Sequence, residues 1–403
     1  MQVRAGPRGC DEMDQDETIA IAGDIMRDFA RGTGLSPERE RPGRYLWTDA
    51  FAVCNYLELF RQMGAGSCRD LALALVYQVH HSLGRHRGDD SRKGWISGLS
   101  EEEGEVSPTR GGLRIGKTLP ERRKGDPPDD MLEWDRDGQY FHYLTRWMHA
   151  LGRVGRATGD PTYVRWAMEL ARAAHAAFTY NSPHGGKRMM YWKMSIDLSF
   201  PQVASIGLHD PLDGFVTCHE LQMTTASMFP SAGLPDLRLE IADFAEICRG
   251  SVVPTDDPLG VGSLLSDATR IAQLMAGGAI RSPGLIETVL SAARTGLKSF
   301  VKSGTLRLPA TYRLAFRELG LAIGLSGVRM IGDLIEERPG VFGEMTSLQR
   351  QVAELDEYLL LADTLSEFWL DAVNRDAPTW KEHEEINSVM LATSLVPRGF
   401  LTI

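Results

Sequence analysis

Residues 138–180 read GQYFHYLTRWMHALGRVGRATGDPTYVRWAMELARAAHAAFTY, and their pattern decides the fold. In the first half Tyr140, Leu144, Trp147, Leu151 and Val154 recur at three- and four-residue spacing; in the second half Tyr163, Ala167, Leu170, Ala174 and Ala177 do the same. That period is one face of an α-helix. Between the halves stands Asp160-Pro161, an acidic cap followed by proline at the first helical position, where a missing N–H costs nothing. The first segment is apolar over much of its circumference, so it is expected inside. The second carries one apolar stripe, so it is expected outside. The stretch predicts an antiparallel pair, one helix over 138–157 and one over 160–180.

The same reading extends both ways. Helices are expected over 14–32, 47–64, 67–83, 138–157, 160–180, 211–228, 236–250, 262–277, 284–301, 311–326, 346–374 (in one piece or two) and 382–394. Amphipathic members such as 67–83 and 236–250 alternate with more apolar ones such as 47–64, 138–157 and 211–228, which begin in polar clusters. Period-two alternation is confined to short runs near Lys187–Lys193 and Phe400–Ile403. Two long connections, 84–133 and 181–209, break the order. The second holds Met189, Met190, Tyr191, Trp192, Met194 and Phe200, too apolar to leave in water, so both are expected as ordered loops over one end.

About six pairs and no sheet predict an all-α (α/α)6 toroid, one domain over 1–403 with its helical core about 14–394. This arrangement accommodates the 403 residues, because a single ordinary core stops growing near about 250–300. A solenoid of helix pairs is the alternative, without a repeat consensus in its favour.

Hydrophobic content of 43% and charged content of 24% exclude a disordered, fibrous or disulfide-built chain. The net charge of −10 argues against nucleic acid, whose phosphates need a basic face. Cys10, Cys54, Cys68, Cys218 and Cys248 are odd in number and form no C-x-x-C, which fits reduced thiols. No apolar run approaches a bilayer span and no secretion signal opens the chain, so the expected location is cytoplasmic with no membrane partner. The oligomeric state is left open.

The chemistry is concentrated where the inner helices begin. Their N-termini carry unpaired N–H groups and partial positive charge, which suit carboxylates and hydroxylated ligands. Near the first lie Trp47 and Asp49. Near the second, Trp134, Asp135, Gln139, Tyr140, His142 and Tyr143 crowd into ten residues, with Gln139, His142 and Tyr143 on one face. At the third, His209-Asp210-Pro211-Leu212-Asp213 is either a cap with a capping-box acid or a pair of carboxylates beside an imidazole. Arg313 opens a later helix, with Arg317 and Glu318 following. His383 and Asn387 share a face near the C-terminus. Trp95, in the first long loop, fits the same mouth. Aromatic faces stack on sugar C–H faces, while Asp, Gln and His bond hydroxyls, so the expected substrate is a small molecule or oligosaccharide.

The helix-pair order over about 47–394 resembles the six-hairpin glycosidase-like superfamily, together with Trp47-Thr48-Asp49, Trp134-Asp135-x-Asp137-Gly138-Gln139-Tyr140 and His209-Asp210-Pro211-Leu212-Asp213-Gly214. Glycoside hydrolases, unsaturated uronyl hydrolases and sugar 2-epimerases belong to it. The resemblance implies a carbohydrate-active enzyme, and no single family's catalytic signature is matched. The leading expectation is glycoside hydrolysis by Asp210 or Asp213 with Asp49 or Asp135, His209 assisting, and Trp47, Trp95, Trp134, Gln139, Tyr140, His142, Tyr143, Arg313 and His383 holding the sugar. The alternatives are a sugar isomerase or epimerase using His142, His209 or His383, and a non-catalytic glycan- or peptide-binding protein. Zinc-dependent toroids offer a further comparison through Cys218-His219, but Glu220 follows where glycine is expected. No metal and no cofactor are expected.

Overall fold

The computed structural model describes residues 15–182, 185–186 and 188–403. Cys10, Asp14 and Lys187, each touched by an expectation above, lie outside them. Thirteen long helices run through the described residues. They are α1 (Gln15–Gly32), α2 (Leu46–Met63), α3 (Gly66–Leu83), α4 (Phe141–Thr158), α5 (Pro161–Phe178), α6 (Asp210–Met228) and α7 (Arg238–Cys248). Then follow α8 (Pro258–Ala276), α9 (Pro283–Lys302), α10 (Ala315–Glu337), α11 (Thr346–Asp356), α12 (Leu359–Leu370) and α13 (Glu384–Leu395).

Six of these close a ring: α2 packs on α4, α4 on α6, α6 on α8, α8 on α10, α10 on α13, and α13 back on α2. The others wrap it, α3 against α2, α5 against α4, α7 against α6, α9 against α8, α11 and α12 against α10, and α1 against α13 and α2. Inner and outer helices alternate along the chain, and the sixth outer place is filled by the split α11–α12. This is an (α/α)6 toroid, and closure of α13 on α2 excludes the open solenoid. Among the described residues no helix is long and apolar enough to cross a membrane.

Local sequence explains most boundaries. Asp160 accepts from Thr162 N at 2.9 Å and Pro161 occupies the first turn of α5. Gly159, at φ 71°, ends α4 in the left-handed conformation that costs glycine nothing. Two expectations need correcting. α10 runs to Glu337, past the expected stop at 326, because the glycines at 327 and 332 sit against neighbouring helices without breaking the backbone ladder. The alternation at the C-terminus is not a strand: Arg398–Leu401 is a helical turn whose Phe400 packs on α2.

The ring is tightest between α8 and α10. A Cβ on Gly262 would lie 2.1 Å from the carbonyl oxygen of Gly320, and one on Gly324 would lie 2.5 Å from that of Gly262. Backbone meets backbone there, so α8 and α10 can approach only without side chains.

The two long loops are tied to each other by polar contacts and supply rim residues to the mouth described below. Gln139 Oε1 accepts from Leu113 N while its Nε2 donates to Ile196 O at 2.6 Å. Arg92 bridges Asp90, Glu121 and Asp197. Buried Lys193 donates to the carbonyl oxygens of Glu133 and Arg136, and burial lowers its pKa to about 8. Strand Gln139–Tyr140 pairs with Lys193–Met194, which pairs with Pro201–Val203.

Two predictions follow from the packing. Gly262→Ala and Gly324→Ala should each lower stability by about 1–3 kcal/mol, read from urea unfolding. Gly284→Ala, in the open first turn of α9, should cause no loss. The second concerns His80 on α3, 2% exposed and accepting from Trp147 Nε1 at 3.1 Å. Burial, helped by the neighbouring His81, pushes its pKa down to about 3. Protons then bind the unfolded chain more tightly, so stability should fall as pH drops below about 6.5, by roughly 2–3 kcal/mol from this one group at pH 4.5. His80→Gln should flatten that part of the pH–stability curve.

Candidate active site

Residues at or beside the N-termini of all six inner helices line one cavity of about 610 Å³: Trp47, His142, Asp210, Leu259, Phe316 and His383 each come from a different one. The inner helices are therefore parallel, and their unsatisfied N–H ends converge on one mouth. Lys117, Trp134, Asp135 and Trp192 come from the loops and form its rim.

On the wall between α4 and α6, His142 Nδ1 faces Asp210 Oδ1 at 3.5 Å, too long for a closed hydrogen bond. Both His142 Nδ1 and Asp210 Oδ2 are buried without a hydrogen-bond partner. Buried polar atoms are nearly always bonded, and these two belong to residues that line the cavity, so water or a ligand in the cavity is the partner within reach. The helix cap of α6 is the backbone of His209, with no side-chain cap bond, so Asp210 is not spent on capping. Asp213 is ion-paired with Arg146, whose other nitrogen donates to Ser263 Oγ. Asp267 of α8 is fully buried close to Asp213, its Oδ1 facing Arg270 Nη1 at 3.4 Å. Burial and then Asp213 raise its pKa well above the usual carboxylate range, against the pull of Arg146 and Arg270.

Of the residues singled out in the sequence, Trp47, Trp134, Asp135, His142, Tyr143, His209, Asp210, Asp213 and His383 line this cavity. His209 Nε2 is 3.1 Å from Val253 O, which occupies it as a donor. Five others lie elsewhere. Asp49 accepts from Tyr45 N at 3.0 Å and meets Arg44 behind the wall; burial raises its pKa to about 6. Gln139 is committed to the loop backbone. Trp95 is buried inside the first loop against His81 and under Arg85. Arg313 is clamped by Glu318, which also accepts from Trp369 Nε1. Tyr140 stacks on His142 from behind the cavity lining.

Other lining residues escaped the sequence reading: Arg146, Lys117, Trp192, Phe316, and Ser263 and Ser266 of α8. The α8 start was legible, because Asp257-Pro258 repeats the Asp-Pro signature of α5 and α6, and Asp257 Oδ2 accepts from Gly260 N. Arg146 lies one helical turn below His142, but nothing local shows that it meets Asp213.

No known family's sequence profile matches the chain, and no curated protein matches it. Among the solved structures similar in fold are two sugar epimerases. One is a cellobiose 2-epimerase from Spirochaeta thermophila, 13% identical, covering 86% of this chain and 85% of that one, TM-score 0.47. The other is a sugar epimerase from a ruminal bacterium, 11% identical, covering 84% and 86%, TM-score 0.46.

Inside the ring, Glu220 of α6 meets Arg270 at 2.6 Å, His149 at 2.9 Å and Arg156 at 3.0 Å. Burial alone would raise its pKa, but these three neighbours outweigh it and hold Glu220 well below the usual range. The residue that departs from the zinc-toroid pattern is thus the centre of a charge cluster. Neighbouring Cys218 is buried in the core, and burial pushes its thiol up.

Replacing Arg146 tests how far the cavity floor depends on its charge. Arg146→Met should destabilise the fold by about 3–5 kcal/mol at pH 7, because Asp213 is left buried without its counter-charge. Adding Asp213→Asn should restore part of the loss. Urea unfolding of the single and double variants measures both.

Proposed function

We propose that the chain is a carbohydrate-active enzyme that moves a proton on and off a sugar carbon, an epimerase or isomerase. The observation that carries this reading is the pair of unpartnered buried atoms, His142 Nδ1 and Asp210 Oδ2, on the wall of a cavity whose rim is aromatic. An imidazole beside a carboxylate can act as a general base, and here Tyr140 and Tyr143 pack against the His142 ring. Trp47, Trp134 and Trp192 offer faces for a pyranose or its open chain.

In the proposed reaction, the base takes the proton from the carbon next to the sugar's carbonyl. The freed electron pair makes the enediolate, whose charge is met by the converging helix N-termini. A second group returns a proton to the other face. His383 fits that role: it lines the same cavity from the start of α13, its ring 5.6 Å from Phe316, with no committed hydrogen bond described. His209 is less suited, being held by Val253 O.

Hydrolysis by paired Asp210 and Asp213 has less support. Asp213 is ion-paired with Arg146, so it is poorly placed to serve as a free nucleophile or base.

The test is deuterium incorporation at the carbon beside the carbonyl when reducing sugars are incubated with enzyme in heavy water. His142→Gln and Asp210→Asn should each cut exchange by roughly 10²–10⁴-fold while leaving the unfolding midpoint near wild type. Full exchange in His142→Gln, or sugar release from aryl glycosides without any exchange, would overturn the reading.

A further inference from the structure

The cavity wall is divided, and the division follows the ring. Three consecutive inner helices, α4, α6 and α8, present His142, Arg146, Asp210, Asp213, Ser263 and Ser266. The other three, α10, α13 and α2, with the C-terminal turn, present Phe316, Ile323, Ile386, Met390, Phe51 and Phe400. On this second arc Phe51, Ile323, Met390 and Phe400 are each 3% exposed or less, so the deep part of the arc is carbon. Phe51 and Phe400 stack with centroids 4.1 Å apart, and the Arg146 guanidinium of the polar arc lies 5.7 Å from the Phe400 centroid, where the two arcs meet. The polar groups on this side stand at helix starts: Arg317 turns to Asp257 at 2.6 Å, and His383 sets its ring against Phe316. Tyr45 spends its hydroxyl on that of Tyr143 at 2.6 Å. The one apolar side chain of α8 in the lining is Leu259.

A bare sugar carries hydroxyls around its whole rim. Bound here, hydroxyls pointing at the deep part of the apolar arc, below His383, would meet no acceptor or donor and would lose their water, which costs free energy. A ligand polar at one end and apolar at the other matches both arcs. The volume of about 610 Å³ is within the range that encloses drug-sized ligands, so a lone monosaccharide leaves much of it empty.

We propose that the substrate is a reducing sugar carrying an apolar substituent, alkyl or aryl, away from its carbonyl carbon, and that this substituent lies on the α10–α13–α2 wall. The proposal rests on the reading of the cavity as a sugar site. It adds that the sugar's polar face meets α4, α6 and α8, and that affinity comes largely from the substituent.

The experiment uses the full chain and two series of glucose esters, 4-O-acyl and 6-O-acyl, each running from acetyl through butanoyl to octanoyl, with glucose as reference. Binding is followed by tryptophan fluorescence, since Trp47, Trp134 and Trp192 line the site, and by calorimetry. In at least one series the affinity should rise roughly two- to fourfold per added methylene, then level off when the wall is covered. Ile386→Asn and Phe316→Ser, both at half-buried positions, should abolish the gain. Leu314→Ser, at a lining position 37% exposed, is the milder variant should either fail to fold. Leu360→Ser, 78% exposed and outside the lining, should leave the gain intact.

No dependence on chain length in either series overturns the proposal, as does a gain of equal size in the wall variants. Deuterium exchange separates the two readings. Exchange into plain sugars with no benefit from the acyl chain removes this proposal and leaves the proton-transfer reading. A chain-length gain lost in the wall variants, with no exchange in any ester, supports the apolar wall and removes the proton-transfer reading.

Discussion

The parallel packing of six inner helices is the constraint on which the rest depends. Each helix end leaves N–H groups without intrahelical partners, and here six such ends point at one mouth. The resulting positive potential has to be met by acceptors and anions, which is where Asp210, Asp213 and Asp257 stand. The opposite requirement acts deeper in the ring, where Arg146, Arg156 and Arg270 would be costly without Asp213, Asp267 and Glu220. The interior is therefore held by paired charge as well as by apolar contact, and its pairs cross between helices.

That requirement also separates structural acids from available ones. Asp49, Asp213 and Glu318 are all buried and all near inner-helix starts, yet each is occupied by an arginine. Asp210 differs: its neighbour is an imidazole at 3.5 Å, and one carboxylate oxygen has no partner. The distinction between a carboxylate that holds the fold together and one open to a ligand comes down to what lies opposite it.

Much of the fold was legible because helical period, capping and proline position are local. Asp160-Pro161 places the start of α5 to the residue, and the alternation of inner and outer helices follows from how far the apolar surface extends around each. The candidate site was legible to the level of clusters: crowding of Trp, Asp, His and Tyr at inner-helix starts does mark the mouth. Within a cluster the resolution was lost. His142 lines the cavity while Gln139, three residues earlier, lies in the two-residue strand Gln139–Tyr140, just before the α4 helix, and spends its amide on loop backbone. The shared helical face assumed for them did not exist. Arg313 was expected at the mouth, but it precedes α10 and turns inward to Glu318, and Arg317 lines the cavity instead.

The sequence by itself determined the all-α class, the pairing of helices and the neighbourhoods rich in polar and aromatic groups, because each depends on residues within a few turns of one another. Only the tertiary structure decided that Arg146 meets Asp213, that His142 faces Asp210, and that α4, α6 and α8 form a polar arc opposite a carbon one. These are contacts between helices far apart in the chain. Their geometry is set by where the ring closes and by how closely the glycines of α8 and α10 let two backbones approach, and no local period records either.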